Sequence, residues 1–280
     1  MQDSQQITPR ILVTTDFSDA SESAFYHGLL AAVARQARLT LLHTGSESRQ
    51  SVPWERFPGV RETLTAWRLL PEDAPRTAVA ERLNVGVAKM AMRDDDPRQG
   101  ITEYLRKHPT DLLVMASEGR RGLARLFNPS VAETVSFLTK SHTLMLPKRG
   151  KHFVDGKTGT SKLKKVLCAL DPDRDPRPTL AFLSRWLPAL GADSIDAVLL
   201  QSPQQADQEP IAFANTNGLQ WRTETYEGDL VENLIENARK TKPDLLIMNA
   251  SSPLKLKGRM RGSRVDRVLQ ALKLPVLSVP

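Results

Sequence analysis

Two aspartates each follow a short apolar segment, and both are candidates for contact with a small polar ligand. Asp16 comes directly after residues 11–15, and Asp171 comes directly after residues 166–170. A carboxylate accepts hydrogen bonds from amines and hydroxyl groups. The same residue type also organises the turn into a following helix. Ligand contact and a purely structural role are therefore both open for these two residues.

Glycines, serines and cations gather in two later segments, a composition that favours phosphate binding. Glycine lets a backbone approach a ligand, N–H groups at a helix N-terminus attract an anion, and a hydroxyl adds a donor. The glycines and serines include Gly119 and Ser130 in the first segment, and Ser252, Gly262 and Ser263 in the second. The neighbouring cations are Arg120, Arg121 and Arg125, then Lys255, Lys257, Arg259, Arg261 and Arg264.

Other chemical motifs are weaker. The segment from Gly150 to Gly156 has five residues between its glycines, where a P-loop needs four. The run from Asp94 to Asp96 fits the cap of a following helix better than a metal site. No short-spaced histidine pair and no Gly-x-Ser-x-Gly elbow occur in the sequence. We therefore nominate no catalytic residue and no metal ligand.

The elements that must position these residues occur twice. Asp111-Leu-Leu-Val-Met115 recurs as Asp244-Leu-Leu-Ile-Met248, and Ser130 matches Ser263 at the same offset. Such self-similarity indicates a duplicated structural unit. The offset is larger near the front of each copy, which indicates an insertion of about two dozen residues in the first copy.

Each copy alternates short apolar runs with helical patterns, which predicts an α/β fold with a parallel sheet. We expect two doubly wound domains, each with five strands and four helices. Ser18 or Asp19 is expected to begin one helix, Asp229 to cap another, and Gly191 to end a third. The predicted strands are residues 11–15, 39–43, 85–91, 112–116 and 143–146, then 165–170, 194–200, 220–226, 245–249 and 276–279.

These patterns place the first domain at residues 1–149, a linker at 150–162 and the second domain at 163–280. The linker is rich in glycine and charge, so we expect it to be exposed. The insertion lies near residues 46–80. Its Val60, Leu64 and Trp67 have helical spacing, which predicts a helix over the sheet edge or the domain interface.

The composition favours a globular protein without a membrane span. Of 280 residues, 40% are hydrophobic and 25% charged, and no apolar run approaches about 18 residues. The net charge is +7, but acids are interleaved with the bases and aromatic residues make up only 5%, which argues against nucleic acid as a partner. The start is polar, and Cys168 is the sole cysteine. We therefore expect a cytoplasmic location and a structural role for Cys168.

The order of these motifs resembles the universal stress protein family over nearly the whole chain. A strand ends in Asp16-Phe17-Ser18, a helix follows, and later come a strand, a loop rich in glycine and serine, a helix and a final strand. The resemblance implies a tandem member whose two domains have the adenine-nucleotide α-hydrolase-like fold and are related by a pseudo-two-fold axis. It also implies that strands 143–146 and 276–279 meet at the interface. One continuous sheet, or two unlike architectures, would contradict the duplication.

In ATP-binding members of that family, an aspartate at the end of the first strand contacts adenine, and a loop with three glycines and a hydroxyl holds ribose and phosphates. The first copy matches at Asp16, Gly119 and Ser130. Its Ala116 and Pro129 replace glycines, and Pro129 has no N–H to offer a phosphate.

The second copy departs from the loop pattern differently. It matches at Asp171, Gly262 and Ser263, whereas Asn249 and Ser252 replace glycines. The resemblance thus implies seven candidate nucleotide-binding residues: Asp16, Gly119, Ser130, Asp171, Ser252, Gly262 and Ser263. Because the second copy keeps the phosphate end and a cluster of cations, it is the better candidate for binding an anion.

The leading functional hypothesis is a non-enzymatic stress-response or signalling module with degenerate nucleotide-binding loops, whose halves pack as a pseudo-dimer. The alternative is an ATP-binding, slowly hydrolysing switch, and a third hypothesis is nucleic-acid binding through residues 255–267. The sequence establishes no cofactor, and ATP is the candidate. A homodimer and an unidentified protein partner stay open, and no membrane partner is expected.

Overall fold

The computed structural model describes residues 8–45, 53–117, 131–171, 174–191, 194–203, 219–249, 255–256, 259–260 and 264–280. In the first half, strands β1 to β5 are Arg10–Thr15, Arg38–Gly45, Gly86–Arg93, Leu112–Ser117 and Thr143–Pro147. Helices α1 to α5 are Asp19–Arg35, Val60–Ala66, Ala78–Leu83, Pro97–Lys107 and Val131–Thr139, and a 3-10 turn spans Trp54–Arg56.

In the second half, strands β6 to β9 are Lys165–Ala169, Ile195–Gln201, Leu219–Thr225 and Leu245–Asn249. The short strands β10 and β11, Lys255–Leu256 and Arg259–Met260, pair with each other, and β12 is Val276–Val279. Helices α6 to α8 are Arg177–Leu190, Leu230–Thr241 and Arg264–Leu272.

Ten of these strands form one sheet in the order β3-β2-β1-β4-β5-β12-β9-β6-β7-β8. Every neighbouring pair is parallel except β5 and β12, which are antiparallel. Strands β6, β7, β8, β9 and β12 of the second half correspond to β1, β2, β3, β4 and β5 of the first. With this correspondence, the order of the strands from either edge of the sheet to its centre is the same. The sheet is thus two doubly wound parallel halves joined at their last strands.

The expectation that a continuous sheet would contradict the duplication was wrong. The last strand of each half is an apolar edge, and pairing two such edges satisfies their backbone groups. Leu277 pairs with Leu144 at the centre of this junction. Fusing two five-stranded copies therefore produces a continuous sheet without removing the symmetry.

The predicted strands are all present, and their bounds differ from the observed ones by at most two residues. The helix signals also hold, because they depend on local hydrogen bonds. The side chain that caps each helix accepts a hydrogen bond from a backbone N–H of the first turn. Ser18 accepts from Ser21 in α1, Asp96 from Arg98 in α4, and Asp229 from Glu232 in α7. The expectation of four helices per half was inexact: the insertion gives the first half five, and the described part of the second half shows three.

The segment between the halves is not an exposed linker. Phe153 and Val154 are buried, and the Val154 N–H donates to His27 Nε2 on α1 over 3.3 Å. Trp67, just past α2, donates from Nε1 to the Gly156 carbonyl at 3.0 Å. The helix that the spacing predicted is confirmed, and the residue directly after it contacts the segment that joins the halves. The burial of Phe153 and Val154 thus decides where this segment lies, although the segment is rich in glycine and charge.

Each face of the sheet carries one continuous core across both halves. On the first face, α1 and α6 pack together, with Phe25, Leu29, Leu183 and Leu187 buried between them and the strands. The second face is covered by α4, α5, α7 and α8. Cys168 lies in the first core, where burial raises the pKa of its thiol. This unreactive environment supports its structural role.

Candidate functional site

The strand order reverses between β1 and β4 in the first half, and doubly wound sheets bind ligands at this point beside the carboxyl ends of the strands. The structure has a cavity of about 250 Å³ there. This volume is slightly below the range of about 300–1,000 Å³ that is usual for small-molecule sites. The cavity is lined by Thr14, Thr15, Asp16, Ser18, Ala20, Ser21, Thr44, Pro97, Ile101, Met115, Ala116, Ser117, Val131, Ala132 and Lys148.

Asp16 enters this cavity from a tight turn. The Ser18 N–H and hydroxyl donate to Asp16 Oδ1, at 3.0 Å and 2.5 Å. Burial tends to raise the pKa of this carboxyl, but the hydrogen bonds from Ser18 and Ser21 outweigh burial and hold the pKa below its ordinary value. Asp16 is therefore an anion at neutral pH. The structural role that the sequence left open is confirmed, and the position in the cavity leaves ligand contact available.

The turn depends on Phe17, whose backbone is left-handed with φ 62°. This conformation is costly for a bulky residue, so its surroundings must stabilise it. The Phe17 N–H donates to Thr15 Oγ1 at 2.9 Å. The ring packs against His43 on one side and against Trp54 and Phe57 of the insertion on the other, with centroids 4.7, 5.2 and 5.7 Å away. The insertion thereby positions Asp16, a role that the helical spacing alone did not reveal.

The cavity lining combines apolar and polar groups. Met115, Ala116 and Val131 contribute apolar groups, and the residues of the turn contribute hydroxyl groups. Lys148 joins the lining from the end of β5, where its N–H donates to the Ser117 carbonyl at 3.2 Å. Sequence reasoning missed Lys148, because only the parallel pairing of β4 and β5 brings it to the same cavity as Asp16. The arrangement suits a flat heterocycle with polar substituents.

The equivalent crevice of the second half, between β6 and β9, is bridged by the chain's own side chains. The Asp171 N–H donates to Asn249 Oδ1 at 2.6 Å, and Asn249 Nδ2 donates to the Pro280 carbonyl at 3.4 Å. Arg264 Nη1 lies 3.8 Å from Asp171 Oδ2. Asn249 and Arg264 thus occupy the place where a ligand would contact Asp171.

The two crevices differ at matched positions. Asn249 is separated from Asp244 as Ala116 is from Asp111, and Arg264 follows Ser263 as Val131 follows Ser130. A methyl group and an isopropyl group in the first half therefore become an amide and a guanidinium in the second. Since larger polar side chains now meet across the crevice, the open geometry favours the first half. The preference for the second half as the better anion site rests on residues that the structure does not describe, so it stays a prediction.

The chain belongs to the universal stress protein family. The sequence profile of that family matches residues 8–146 and 165–280, so the match occurs twice and covers most of the chain. The chain is thus a tandem universal stress protein, and its membership supports a role in the stress response. The resemblance read from the sequence is confirmed.

A universal stress protein of Mycobacterium tuberculosis is 29% identical over 143 residues, which are 48% of this chain and 44% of the relative. One from Methanocaldococcus jannaschii is 32% identical over 94 residues, 33% of this chain and 55% of the relative. The chain spans about half the length of the curated relatives it matches.

Solved structures agree on the fold. A universal stress protein from Archaeoglobus fulgidus gives a TM-score of 0.58 with 14% identity, covering 96% of this chain and 95% of the other. A structure of a putative universal stress protein from Pseudomonas aeruginosa gives a TM-score of 0.59 with 16% identity, covering 98% of this chain and 94% of the other. At this identity the likeness shows the tandem universal stress protein fold alone.

Five of the seven candidate binding residues of this universal stress protein lie outside the described residues: Gly119, Ser130, Ser252, Gly262 and Ser263. The structure describes Asp16 and Asp171, and it places them at the two crevices, in opposite halves of the sheet.

In the basic cluster of the second half, Arg264 is the one cation whose side chain the structure describes. Lys255 and Arg259 belong to the paired strands β10 and β11. Arg264 pairs with Asp171, and Arg267 Nη2 lies 4.0 Å from Asp229 Oδ1. These acids reduce the positive field that a nucleic acid would need. Among the described helices, none has the length and apolar character needed to cross a bilayer.

Proposed function

We propose that this universal stress protein is a non-enzymatic stress-response module that binds one adenine mononucleotide, in its first half. The observation that carries the proposal is the open cavity of about 250 Å³ beside Asp16, at the point where the strand order reverses. The second half, whose crevice is bridged by Asn249 and Arg264, serves as the paired and closed copy.

Adenine fits the chemistry of the cavity. A purine buries its faces against apolar groups such as Met115, Ala116 and Val131. Its exocyclic amine is a donor, and the ionised Asp16 carboxylate is an acceptor. Lys148 in the lining supplies positive charge for a phosphate. In the family, an aspartate at this position contacts adenine, and in this chain the residue at that position is Asp16.

The same residues make a poor hydrolytic centre, which supports a non-enzymatic role. The hydrogen bonds of Ser18 lower the pKa of Asp16, and a carboxylate with a low pKa is a weak general base. Its Oδ1 is already engaged by both Ser18 donors. ATP hydrolysis would need a water-activating group, and Asp16 is badly placed to be one. We also infer a cytoplasmic location, where ATP is available and a lone thiol stays reduced.

The test is isothermal titration of ATP, ADP and AMP into the full chain after bound ligand has been removed. We expect one nucleotide per chain. The double variant Ala116→Asn/Val131→Arg gives the first half the side chains of the second, and we expect it to weaken binding at least about a hundredfold, because the polar groups fill the cavity and must be desolvated by a ligand.

The matched control is Asn249→Ala/Arg264→Val, which changes the same positions in the second half and should leave the binding to the first half intact. A chain that binds no nucleotide, or one whose binding survives in the filled first half, would contradict the proposal. Release of phosphate from ATP by the stripped protein, lost in the filled variant, would favour the hydrolysing switch instead.

A further inference from the structure

A second recess lies at the opposite end of the strands. It has a volume of about 390 Å³ and is lined by Arg10, Ile11, Leu12, Arg38, Leu39, Thr40, Gly86, Val87, Ala88, Tyr104, His108, Pro109 and Thr110. Arg10, Arg38 and Gly86 are the first residues of their strands, whereas the nucleotide cavity lies beyond the last ones. Of β1, Arg10, Ile11 and Leu12 line this recess, whereas Thr14 and Thr15 line the nucleotide cavity, so the two recesses have no lining residue in common.

The floor of this recess, which we call the strand shelf, is made by two rungs of the sheet. Arg10, Arg38 and Gly86 are paired side by side, and Leu12, Thr40 and Ala88 form the next rung on the same face. The small side chain of Ala88 leaves space above β3, whereas the stem of Arg38 lies beside Gly86. The side wall comes from α4 and its C-cap, where the rings of Tyr104 and His108 are tilted by 31° with centroids 4.5 Å apart.

The charge of the strand shelf is positive. Arg10 and Arg38 lie on neighbouring strands, about 5 Å apart at the backbone, so both guanidinium groups can contact one anion. Within the described ranges of the chain, neither side chain forms an ion pair. Asp111 accepts a hydrogen bond from the Arg10 backbone N–H at 2.8 Å, which directs this carboxylate to the main chain.

The second half shows how the same recess is closed. Its rungs are Lys165, Asp196 and Gln220, then Leu167, Val198 and Arg222. Arg222, which stands where the first half has Ala88, pairs with Asp196 and with Glu224, each at 3.4 Å. The remaining recess is only about 160 Å³. An ion pair of the protein thus fills the space that the first half leaves open.

We propose that the strand shelf binds a small planar anion, an aromatic ring that carries a carboxylate or a phosphate. The ring lies on Thr40 and Ala88 beside Tyr104, and the anionic group is held by Arg10 and Arg38. A guanidinium can bind either a carboxylate or a phosphate through two parallel N–H donors. Aromatic rings stack on Tyr side chains at centroid distances of about 4.5–7 Å. This site is separate from the nucleotide cavity and does not depend on it.

The test titrates the full chain with phenyl phosphate, inorganic phosphate and phenol, followed by calorimetry and by amide NMR shifts. We expect phenyl phosphate to bind at least about tenfold more tightly than either fragment, because only it uses both the floor and the arginines. The variant Ala88→Arg/Arg38→Asp copies the ion pair of the second half and should abolish this preference, while the melting temperature shows that the chain is folded. Arg10→Gln, which removes one guanidinium, should weaken binding about tenfold or more.

The control is Ala116→Asn/Val131→Arg, which fills the nucleotide cavity and should leave phenyl phosphate binding unchanged. Loss of binding in this control, retention in the variant with the copied ion pair, or equal affinity for phosphate and phenyl phosphate would each overturn the proposal. Because the two cavities are blocked by different variants, failure at one site is distinguishable from failure at the other.

Discussion

The two halves of the molecule share a backbone plan but differ in what fills their recesses. Asp16 faces open space bordered by Ala116 and Val131, whereas Asp171 is bridged by Asn249 and Arg264. The strand shelf repeats this difference, with Ala88 in the first half and a paired Arg222 in the second. In both places the second half satisfies its polar groups internally.

The comparison teaches that a duplicated fold can lose a site without changing its strands. An open cavity sacrifices packing contacts, while a side chain that fills it and finds a hydrogen-bond partner does not. One copy is thus free to become a structural partner. The other keeps recesses whose polar groups are available to ligands, because function is set by the site and not by the fold.

The largest expected effect concerns the segment that joins the halves. Phe153 is only 1% exposed and packs on His27, with ring centroids 4.3 Å apart. Replacing it by alanine should lower the free energy of unfolding by about 3–5 kcal/mol, measured by urea denaturation. Leu138→Ala is the control, because Leu138 is 58% exposed and should change stability by no more than about 0.5 kcal/mol. Equal effects of the two changes would mean that the segment is only a tether.

Acid should affect the stability of the two halves differently, because all five histidines precede Phe153 in the chain. Burial lowers the pKa of His27 to about 3 and that of His142 to about 4, from 6.5. Both are neutral in the folded chain and take up protons when it unfolds. Their contribution to stability is therefore present above pH 6.5 and is lost as pH falls toward the folded values.

For His27 the slope reaches about 1.4 kcal/mol per pH unit. The variant His27→Gln, which keeps an acceptor for the Val154 N–H, should show a shallower loss of unfolding free energy between pH 6.5 and 5. Denaturation curves at a series of pH values measure this slope. An unchanged slope would mean that His27 is not the titrating group.

The third test compares the two aspartates directly. Asp16→Asn removes the charge beside the open cavity and should weaken nucleotide binding about 10–100-fold, which corresponds to a lost charged hydrogen bond. Asp171→Asn makes the same change in the bridged half and should leave the affinity unaltered. Calorimetry measures both. If Asp171→Asn has the larger effect, the second half is the binding half after all.

The smallest expected effect comes from the helix caps. Ser18→Ala and Asp229→Ala each remove one capping hydrogen bond and should each cost about 1 kcal/mol of stability. Only Ser18 also donates to Asp16. Ser18→Ala should therefore weaken nucleotide binding as well, while Asp229→Ala should not. Binding that responds equally to both changes would indicate a general loss of structure.

The sequence alone determined the strands, the caps and the duplication. Alternating apolar segments and capping residues act over a few neighbours, so residues 112–116 were recognisable as a strand and Asp96 as a cap. The order of these elements was also sufficient to indicate the family and the two doubly wound halves. Asp16 and Asp171 were correctly placed at strand ends, because that position depends on local pattern.

Only the tertiary structure decided which half is open. Asn249 and Arg264 reach Asp171 across separate elements, and sequence spacing does not show that their side chains meet. The same holds for Lys148, for the insertion that supports Phe17, and for the packing of Phe153 on α1. Contacts between distant segments depend on how the strands are ordered in the sheet, and that order is fixed by the packing of the whole chain.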